Sequence, residues 1–261
     1  MIEIPELTVI RTKLARLLIG KKLVELNIHW QKKFKQAPDS IIKAAQNATV
    51  MEVRRVGKLI HLALDNGEVL GIYFGDGAIP YWTPLNDRFE YKVMEMAFEN
   101  EIGLAIDDLS GQSYLILNPD LATTDDPLHP SLTLAYLRKS IRTFKSSSIK
   151  GYMLTERKMR GIGGAYVDEI LWDIKVAPHS VTTKIPDAKL VELIDSIRTT
   201  LTFAASKIEG LTGPKDLVAC RYDFFKIHNT GRRYDPDGHR IQRIVVHRKR
   251  TFWTDRQTLY S

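Results

Sequence analysis

The residues from Lys158 to Trp172 have the types and spacing to hold an anion. A basic run, Lys158-Met-Arg160, enters a Gly-rich turn, Gly161-Ile-Gly-Gly164, and the chain then reads as an amphipathic helix. Gly161, Gly163 and Gly164 allow a tight turn and a close approach of backbone to ligand. From Ala165 to Trp172 the apolar Ala165, Ile170 and Leu171 and the polar Asp168 and Glu169 keep helical spacing. Free N–H groups at such a helix start point outward and, with the dipole, favour a phosphate. The turn does not fit a dinucleotide-binding fingerprint, because Ser148 to Arg160 ahead of it reads as helix and not strand. By itself a Gly-rich turn before a helix is most often only a turn.

Two domains are expected to position it. With 261 residues and 44% hydrophobic content the chain can bury a core and is long enough for two ordinary domains. No apolar run approaches the roughly eighteen residues of a membrane span, and Met1-Ile-Glu-Ile-Pro5 is no signal sequence. A soluble cytoplasmic protein is therefore expected, nucleoid-associated if bacterial, with no cofactor. The single Cys220 excludes an internal disulfide and a Cys-based zinc site within one chain, and it reads as a half-buried structural thiol.

From Pro5 onward Leu7, Ile10, Leu14, Leu17 and Leu18 fall on one helical stripe, a buried first helix. Lys22 to Trp30 alternates as a strand and Ile41 to Ala45 reads as a short helix. Val50 to Gly67 predicts two strands ended by Asn66-Gly67, the strongest short hairpin signal, before a strand at Val69 to Phe74. Strands at Phe89 to Phe98, Ile102 to Ile106 and Ser113 to Leu117 complete an antiparallel β-sandwich. Asn118 to Pro130 is rich in turn formers, so the domain boundary falls there. Helices follow at Leu132 to Phe144, Ile149 to Arg157, Ala165 to Trp172 and Asp187 to Ile208, the last begun by Pro186 and stopped at Gly210.

The net charge of +7 is uneven: residues 221–261 hold ten lysines and arginines against four aspartates, six of the seven surplus charges. Tyr222, Phe224, Phe225, Tyr234, Phe252 and Trp253 lie in the same stretch, so it reads as folded, and its field suits a nucleic acid.

Three stretches together resemble the formamidopyrimidine-DNA glycosylase/endonuclease VIII (Fpg/Nei) family. Ile149-Lys-Gly-Tyr-Met-Leu154 with Arg160-Gly-Ile-Gly-Gly-Ala-Tyr166 is similar to its helix–two-turns–helix, with Gly164 where the family usually carries a phosphate-holding Asn. Glu3, Pro5 and Glu6 match the family opening Met-Pro-Glu-Leu-Pro-Glu, and Ile2 departs from it. The run from His228 to Gln257 has the layout of the family's zinc-finger hairpin without its cysteines, with Tyr234, Asp237-Gly238 and Thr254-Asp-Arg256 in their places. The resemblance implies an α+β fold: an N-terminal helix plus antiparallel β-sandwich, then a helical helix–two-turns–helix domain ending in a zincless β-hairpin finger. The expected division is 1–120, a linker at 121–130, 131–220 and 221–261. Ile241, Ile244, Val246, Phe252 and Trp253 are expected to hold the finger by packing, and His228, His239 and His247 to face the surface or a phosphate. No metal is expected.

The resemblance also implies site residues. The implied catalytic group is Met1, Ile2, Glu3 and Glu6. In the family the amine left after Met removal attacks the sugar to form a Schiff base. An α-amino group suits this, since its pKa of about 7.7–8.0 leaves a usable unprotonated fraction. Ile2 replaces the family's secondary amine, and its bulk is expected to keep Met1 in place. Glu3 reads either as acid/base on the sugar or a water, or as a carboxylate serving a nearby helix start. Lys58, in Arg54-Arg-Val-Gly-Lys58, resembles a hairpin Lys that contacts a phosphate. Lys150, Gly163, Gly164, Tyr166 and Arg250, with Arg248 as the alternative in register, complete the implied DNA contacts. Asp76 and the loop Asp107-Asp-Leu-Ser-Gly111 stand where the family fills the hole of an extruded base. Asp76 is unsuited to that task, and Leu109 is expected to pack on its own domain rather than act as a wedge. The implied partner is double-stranded DNA, damaged or abasic, bound by a monomer in a cleft between the domains. Two activities stay open, an N-glycosylase with weak or no AP lyase activity and a catalytically inactive damaged-DNA-binding protein. An RNA-binding relative is a third.

Overall fold

Glu3 starts the first helix and Ile2 before it is already buried. A computed structural model of the protein describes residues 2–30, 34–84, 87–99, 102–120, 126–144, 148–219 and 222–261. Met1, Cys220 and part of the expected linker lie outside these residues. The chain divides into two units, residues 1–122 with 208–220, and 123–207 with 221–261.

In the first unit, α1 (Ile4–Leu18) begins with Pro5 in its first turn, where the missing N–H costs nothing. Its stripe Leu7, Ile10, Leu14 and Leu18 is buried, and α1 packs on the sandwich at β2. The strands are β1 (Leu23–Ile28), β2 (Val50–Val56), β3 (Leu59–Leu64), β4 (Val69–Tyr73), β5 (Ile79–Pro84), β6 (Lys92–Phe98), β7 (Ile102–Asp107) and β8 (Tyr114–Leu117), with α2 (Pro38–Ala45) between β1 and β2. They pair antiparallel in two four-stranded sheets, β1-β6-β7-β5 and β2-β3-β4-β8. Ile60, Leu62 and Leu64 alternate inward on β3 and meet Met94, Met96, Leu104 and Ile106 from the other sheet. β5 escapes the sequence signals because Pro80 and Pro84 interrupt it. It is tolerated as a strand because it lies at a sheet edge. The segment after α6 joins this unit through buried Leu217 and through Lys13 Nζ, which donates to the Gly213 and Asp216 carbonyls at 2.6 and 2.7 Å.

The second unit is helical. α3 (Leu134–Thr143) and α4 (Ile149–Thr155) are capped by Thr133 and Ser148, whose hydroxyls accept from Tyr136 N and Gly151 N. A 3₁₀ turn at Arg157–Met159 leads to α5 (Gly164–Asp173), and α6 (Asp187–Leu211) follows. α4 and α5 pack together, and α5 carries the C-terminal hairpin β9 (Gln242–Val246) and β10 (Lys249–Trp253). This is the expected α+β architecture. Among the described residues no helix is long and apolar enough to cross a membrane.

Candidate nucleic-acid interface

The Gly-rich turn is built as the sequence predicts. Gly161 has φ of 95°, which a residue with a side chain rarely adopts, and Gly163 is the N-cap of α5. The first turn of α5 holds no acidic residue to neutralise the positive end of the helix. Gly164 is not required by crowding: a Cβ there would meet only Lys150 Nζ, at 3.9 Å.

Lys150 is not on the surface, which corrects the expectation that it reaches a phosphate. Its side chain is 0% exposed and its Nζ lies 2.5 Å from Asp168 Oδ1, itself 0% exposed. The same ammonium donates to the Arg250 carbonyl at 3.2 Å, and the Phe252 N–H donates to Asp168 Oδ2 at 3.0 Å. The buried pair therefore grips β10 on both sides of Thr251 and sets where Arg250 leaves the sheet. His228 Nδ1 sits 2.8 Å from Asp168 Oδ2, so this histidine, whose side chain stays 25% exposed, also has an inner partner. Glu169 accepts the N–H groups of Lys226, Ile227 and His228, each at 2.8 Å. Burial raises its carboxyl above the usual range, against the pull of those three donors. Tyr166 is also corrected: its ring is 1% exposed and meets Phe225 edge-on at 5.2 Å, a core role instead of a surface DNA contact.

The hairpin turns through His247 and Arg248, with φ of 50° and 58°, the two-residue geometry that matches strand twist. Arg250 pairs across the ladder with Val245, and both are exposed. The residues at the family's cysteine positions do not fit a zinc ion, and among the described residues no group of three His, Cys, Asp or Glu side chains is arranged for a metal. Arg256 and Asp237 form an ion pair there. Asp235 accepts from the N–H groups of Asp237 and His239 at 3.0 and 2.8 Å and from Trp172 Nε1 at 3.0 Å. Burial works to raise its carboxyl, and these donors outweigh burial and hold it low. Gln257 closes the far side, accepting from Thr254 N and donating to the Val176 carbonyl, each at 2.8 Å. The apolar part is Ile227, Ile241 and Phe252 with Trp172 against them, so the finger is held by packing and by polar clamps that packing alone did not anticipate.

In the first unit Lys58 sits at the tip of a two-residue turn between β2 and β3, where Gly57 takes φ of 55°. Glu3 is the N-cap of α1 and forms a capping box with Glu6, whose Oε2 accepts the Glu3 N–H at 2.9 Å. Glu3 is 2% exposed, so of its two readings the helix-start role is present in the structure. Ile2 is 5% exposed and belongs to the apolar core, and Met1 lies outside the described residues.

Asp108, 2% exposed, organises the loop after β7. It accepts from Ser110 N and Oγ, Gln112 N, and Ser113 N and Oγ at 2.6–3.0 Å. Burial works to raise this carboxyl too, and the Ser110 and Ser113 bonds hold it below its ordinary value. Ser113 Oγ in turn accepts the Gly75 N–H at 2.9 Å, which ties in the turn that bears Asp76. The expectation for Leu109 is overturned: held on this rigid loop, it is 73% exposed. Asp108, Asp168 and Glu169 escaped the sequence reading because a lone acidic residue carries no mark of burial. The available signal was that Asp168 and Glu169 interrupt an apolar run, Val167 to Leu171.

Residues 1–111 match the formamidopyrimidine-DNA glycosylase N-terminal domain and residues 123–213 the formamidopyrimidine-DNA glycosylase H2TH domain. A formamidopyrimidine-DNA glycosylase of Lactobacillus johnsonii is 27% identical over 222 residues, 81% of this chain and 80% of the relative. One of Protochlamydia amoebophila is 26% identical over 268 residues, 96% of this chain and 97% of the relative. A crystal structure of the Lactococcus lactis Fpg with DNA containing an abasic site has the same fold, with a TM-score of 0.86 at 22% identity over 98% of this chain and 99% of that one. With both domain models spanning most of its length, the chain belongs to the formamidopyrimidine-DNA glycosylase family.

Proposed function

We propose that this protein is a DNA N-glycosylase that binds damaged or abasic duplex DNA, extrudes the lesion nucleotide and excises its base, with AP lyase activity weak or lost. The observation that supports this most is the arrangement in the second unit, where the α5 start and Arg250 are tied together through Lys150 and Asp168. Phosphates are held by the N–H groups at Gly163 and Gly164, by Arg250 from the hairpin, with Arg248 beside it in the turn, and by Lys58 from its turn in the first unit. Such contacts position the duplex and carry no base preference, so binding falls steeply with salt. Lys150 and Tyr166 act from inside, one by positioning Arg250 and the other by supporting α5.

Glu3 is the proposed acid/base. Water attacks C1′ of the extruded nucleotide, the glycosidic bond breaks, and the base departs with the bonding electrons and takes up a proton, while Glu3 accepts the proton of the water. Glu6 holds the Glu3 backbone. Ile2, anchored in the core, stands where the family has its Pro, so an amine from Met1 starts one residue further out and supports Schiff-base chemistry poorly.

The test is incubation with duplexes carrying an oxidised base or an abasic site, with and without borohydride. Release of free base that Glu3→Gln abolishes, with little trapped adduct, is the expected result. No base release from any lesion, alongside tight lesion-selective binding, replaces this proposal with the inactive damaged-DNA-binding protein. Abundant trapped adduct lost on blocking the N-terminal amine overturns the water mechanism.

A further inference from the structure

The side of α5 that carries Tyr166, Glu169 and Asp173 forms, with α6 and the segment leading into the finger, a pocket of about 270 Å³ within the second unit. Its aromatic lining runs from a buried floor to an open edge: Tyr166 is 1% exposed, Phe225 5% and Phe203 50%. The rings brace one another. Phe225 meets Tyr166 edge-on at 5.2 Å and Phe224 at 5.0 Å, and Phe224 meets Phe203 edge-on at 6.3 Å. Glu169, turned inward, fixes this segment by accepting the three N–H groups that follow Phe225. A second hollow of about 230 Å³ adjoins, sharing Asp173 and Lys226 as walls and adding Trp172, Lys175, Asp237 and Arg256. Neither hollow includes Lys58, Gly163, Gly164, Arg248 or Arg250, the residues assigned to phosphates.

The charges on the shared rim are unequal. Arg256 is taken up by Asp237, and Asp173 accepts the Ser196 hydroxyl at 2.8 Å. Lys226 lies over the Trp172 ring at 4.9 Å and Lys207 over the Phe203 ring at 5.3 Å. These two lysines and Lys175 are exposed, and none of the three pairs with a carboxylate among the described residues. The negative end of α5 offsets part of the Lys175 charge only. Three lysines therefore face the single carboxylate of Asp173. Rigid aromatic walls under such a rim suit a ligand with a bulky apolar group and negative charges beside it. Asp173 decides its class. A carboxylate at the edge calls for hydrogen-bond donors, which peptide N–H groups supply and a phosphodiester backbone lacks.

We propose that the two hollows form one docking site for an acidic peptide segment of a partner protein. An aromatic or branched aliphatic side chain of the peptide sits between Phe203 and Phe224, its carboxylates pair with Lys226, Lys207 and Lys175, and a backbone N–H donates to Asp173. The site goes beyond the DNA function proposed above and leaves the phosphate contacts free, so partner and duplex are held together.

The experiment presents the full chain to a displayed library of random short peptides, and the recovered peptides are labelled and titrated by fluorescence anisotropy. They are expected to carry a bulky apolar residue flanked by Asp or Glu. Phe203→Ala, at a half-exposed position, should weaken them about ten-fold or more. Lys226→Glu should weaken them as well and remove most of the dependence on salt. Urea curves matching the unmodified protein show that both variants fold, and their affinity for lesion duplex stays unchanged. Recovery of no acidic peptide with an apolar anchor, or of peptides whose affinity ignores both substitutions, overturns the docking site. A fall in duplex or single-stranded DNA affinity in these variants assigns the hollows to nucleic acid and overturns it too. Neither result touches the proposed glycosylase, whose failure would show as absent base release with the peptide titrations unaltered.

Discussion

Removing one partner of the Lys150–Asp168 pair is expected to cost far more than removing both. Both side chains are 0% exposed and 2.5 Å apart. Asp168→Leu strands an ammonium in the interior with carbonyls in place of a carboxylate, at about 3–5 kcal/mol. It also orphans the Phe252 N–H, 3.0 Å from the lost oxygen, for about 1–3 kcal/mol more. The sum reaches the lower end of the roughly 5–15 kcal/mol that holds a domain together, so the second unit should be barely folded at room temperature. Lys150→Met should cost less, because Asp168 keeps the Phe252 N–H and the His228 ring, whose Nδ1 is 2.8 Å away. Lys150→Met combined with Asp168→Leu should cost less than Asp168→Leu alone, a coupling of several kcal/mol.

Urea titrations followed through Trp172 and Trp253, which both belong to the second unit, measure these differences. The same variants report on positioning. With the fold intact, Lys150→Met should weaken DNA binding about as much as Arg250→Ala, and the two together should add little, because both act through where Arg250 stands. Single variants within about 1 kcal/mol of the unmodified protein, or strictly additive energies, would refute this account of the pair.

Lys58→Ala and Arg250→Ala should each weaken binding evenly across DNA sequences and lower the slope of log affinity against log salt by about 1, read from titrations at several salt concentrations; an unchanged slope removes that residue from the phosphate contacts. Gly164→Asn should tighten binding several-fold without loss of stability, since the added Cβ meets only Lys150 Nζ at 3.9 Å; unaltered affinity in a folded variant shows that no phosphate lies within reach of residue 164. His61 is 2% exposed with neither ring nitrogen partnered, and burial, with the Arg54 charge second, lowers its pKa. The unfolded imidazole takes up a proton near pH 6.5 while the folded one resists, so this contribution is complete above about pH 6.5 and drains as pH falls toward the lower folded value, by up to about 1.4 kcal/mol per pH unit. His61→Leu should flatten that slope and raise stability at neutral pH, which denaturation curves between pH 5 and 8 would show.

What sequence periodicity can express was legible. α1 announces itself through Leu7, Ile10, Leu14 and Leu18, the hairpins through Gly57 and Gly67, and the α5 start through Gly161, Gly163 and Gly164. The misses share one cause, that polarity in a sequence is read as exposure. Lys150 and Asp168 sit 18 positions apart, and nothing local says that they meet with no water between them. Asp108 looks like one of several loop acids until five donors converge on it. The error also runs the other way: Leu109 was assigned to packing because leucine prefers an interior, and the rigid loop beneath it keeps it in water. β5 was lost because Pro80 and Pro84 forbid a central strand, and only the sheet order shows that an edge position was available.

In the proposed mechanism the nucleophile at the start of the chain is given up while the neighbouring acid is kept. Ile2 is 5% exposed within the core that holds Leu7, Leu14 and Leu18, so its side chain contributes packing that a proline would supply less well. Glu3 depends on none of this. Its backbone is fixed by Glu6, through the 2.9 Å bond to its N–H, and by its place as the N-cap of α1. Substitution at residue 2 can therefore move or mask the amine without displacing the Glu3 carboxylate. The same independence holds in the finger, where Asp237, Arg256, Thr254 and Gln257 hold the ends that cysteines hold elsewhere in the family, while Arg250 is positioned from α4 and α5 through Lys150. Absence of the zinc ligands leaves that tether in place, because it runs to the Arg250 carbonyl within β10 while the clamps lie outside that strand.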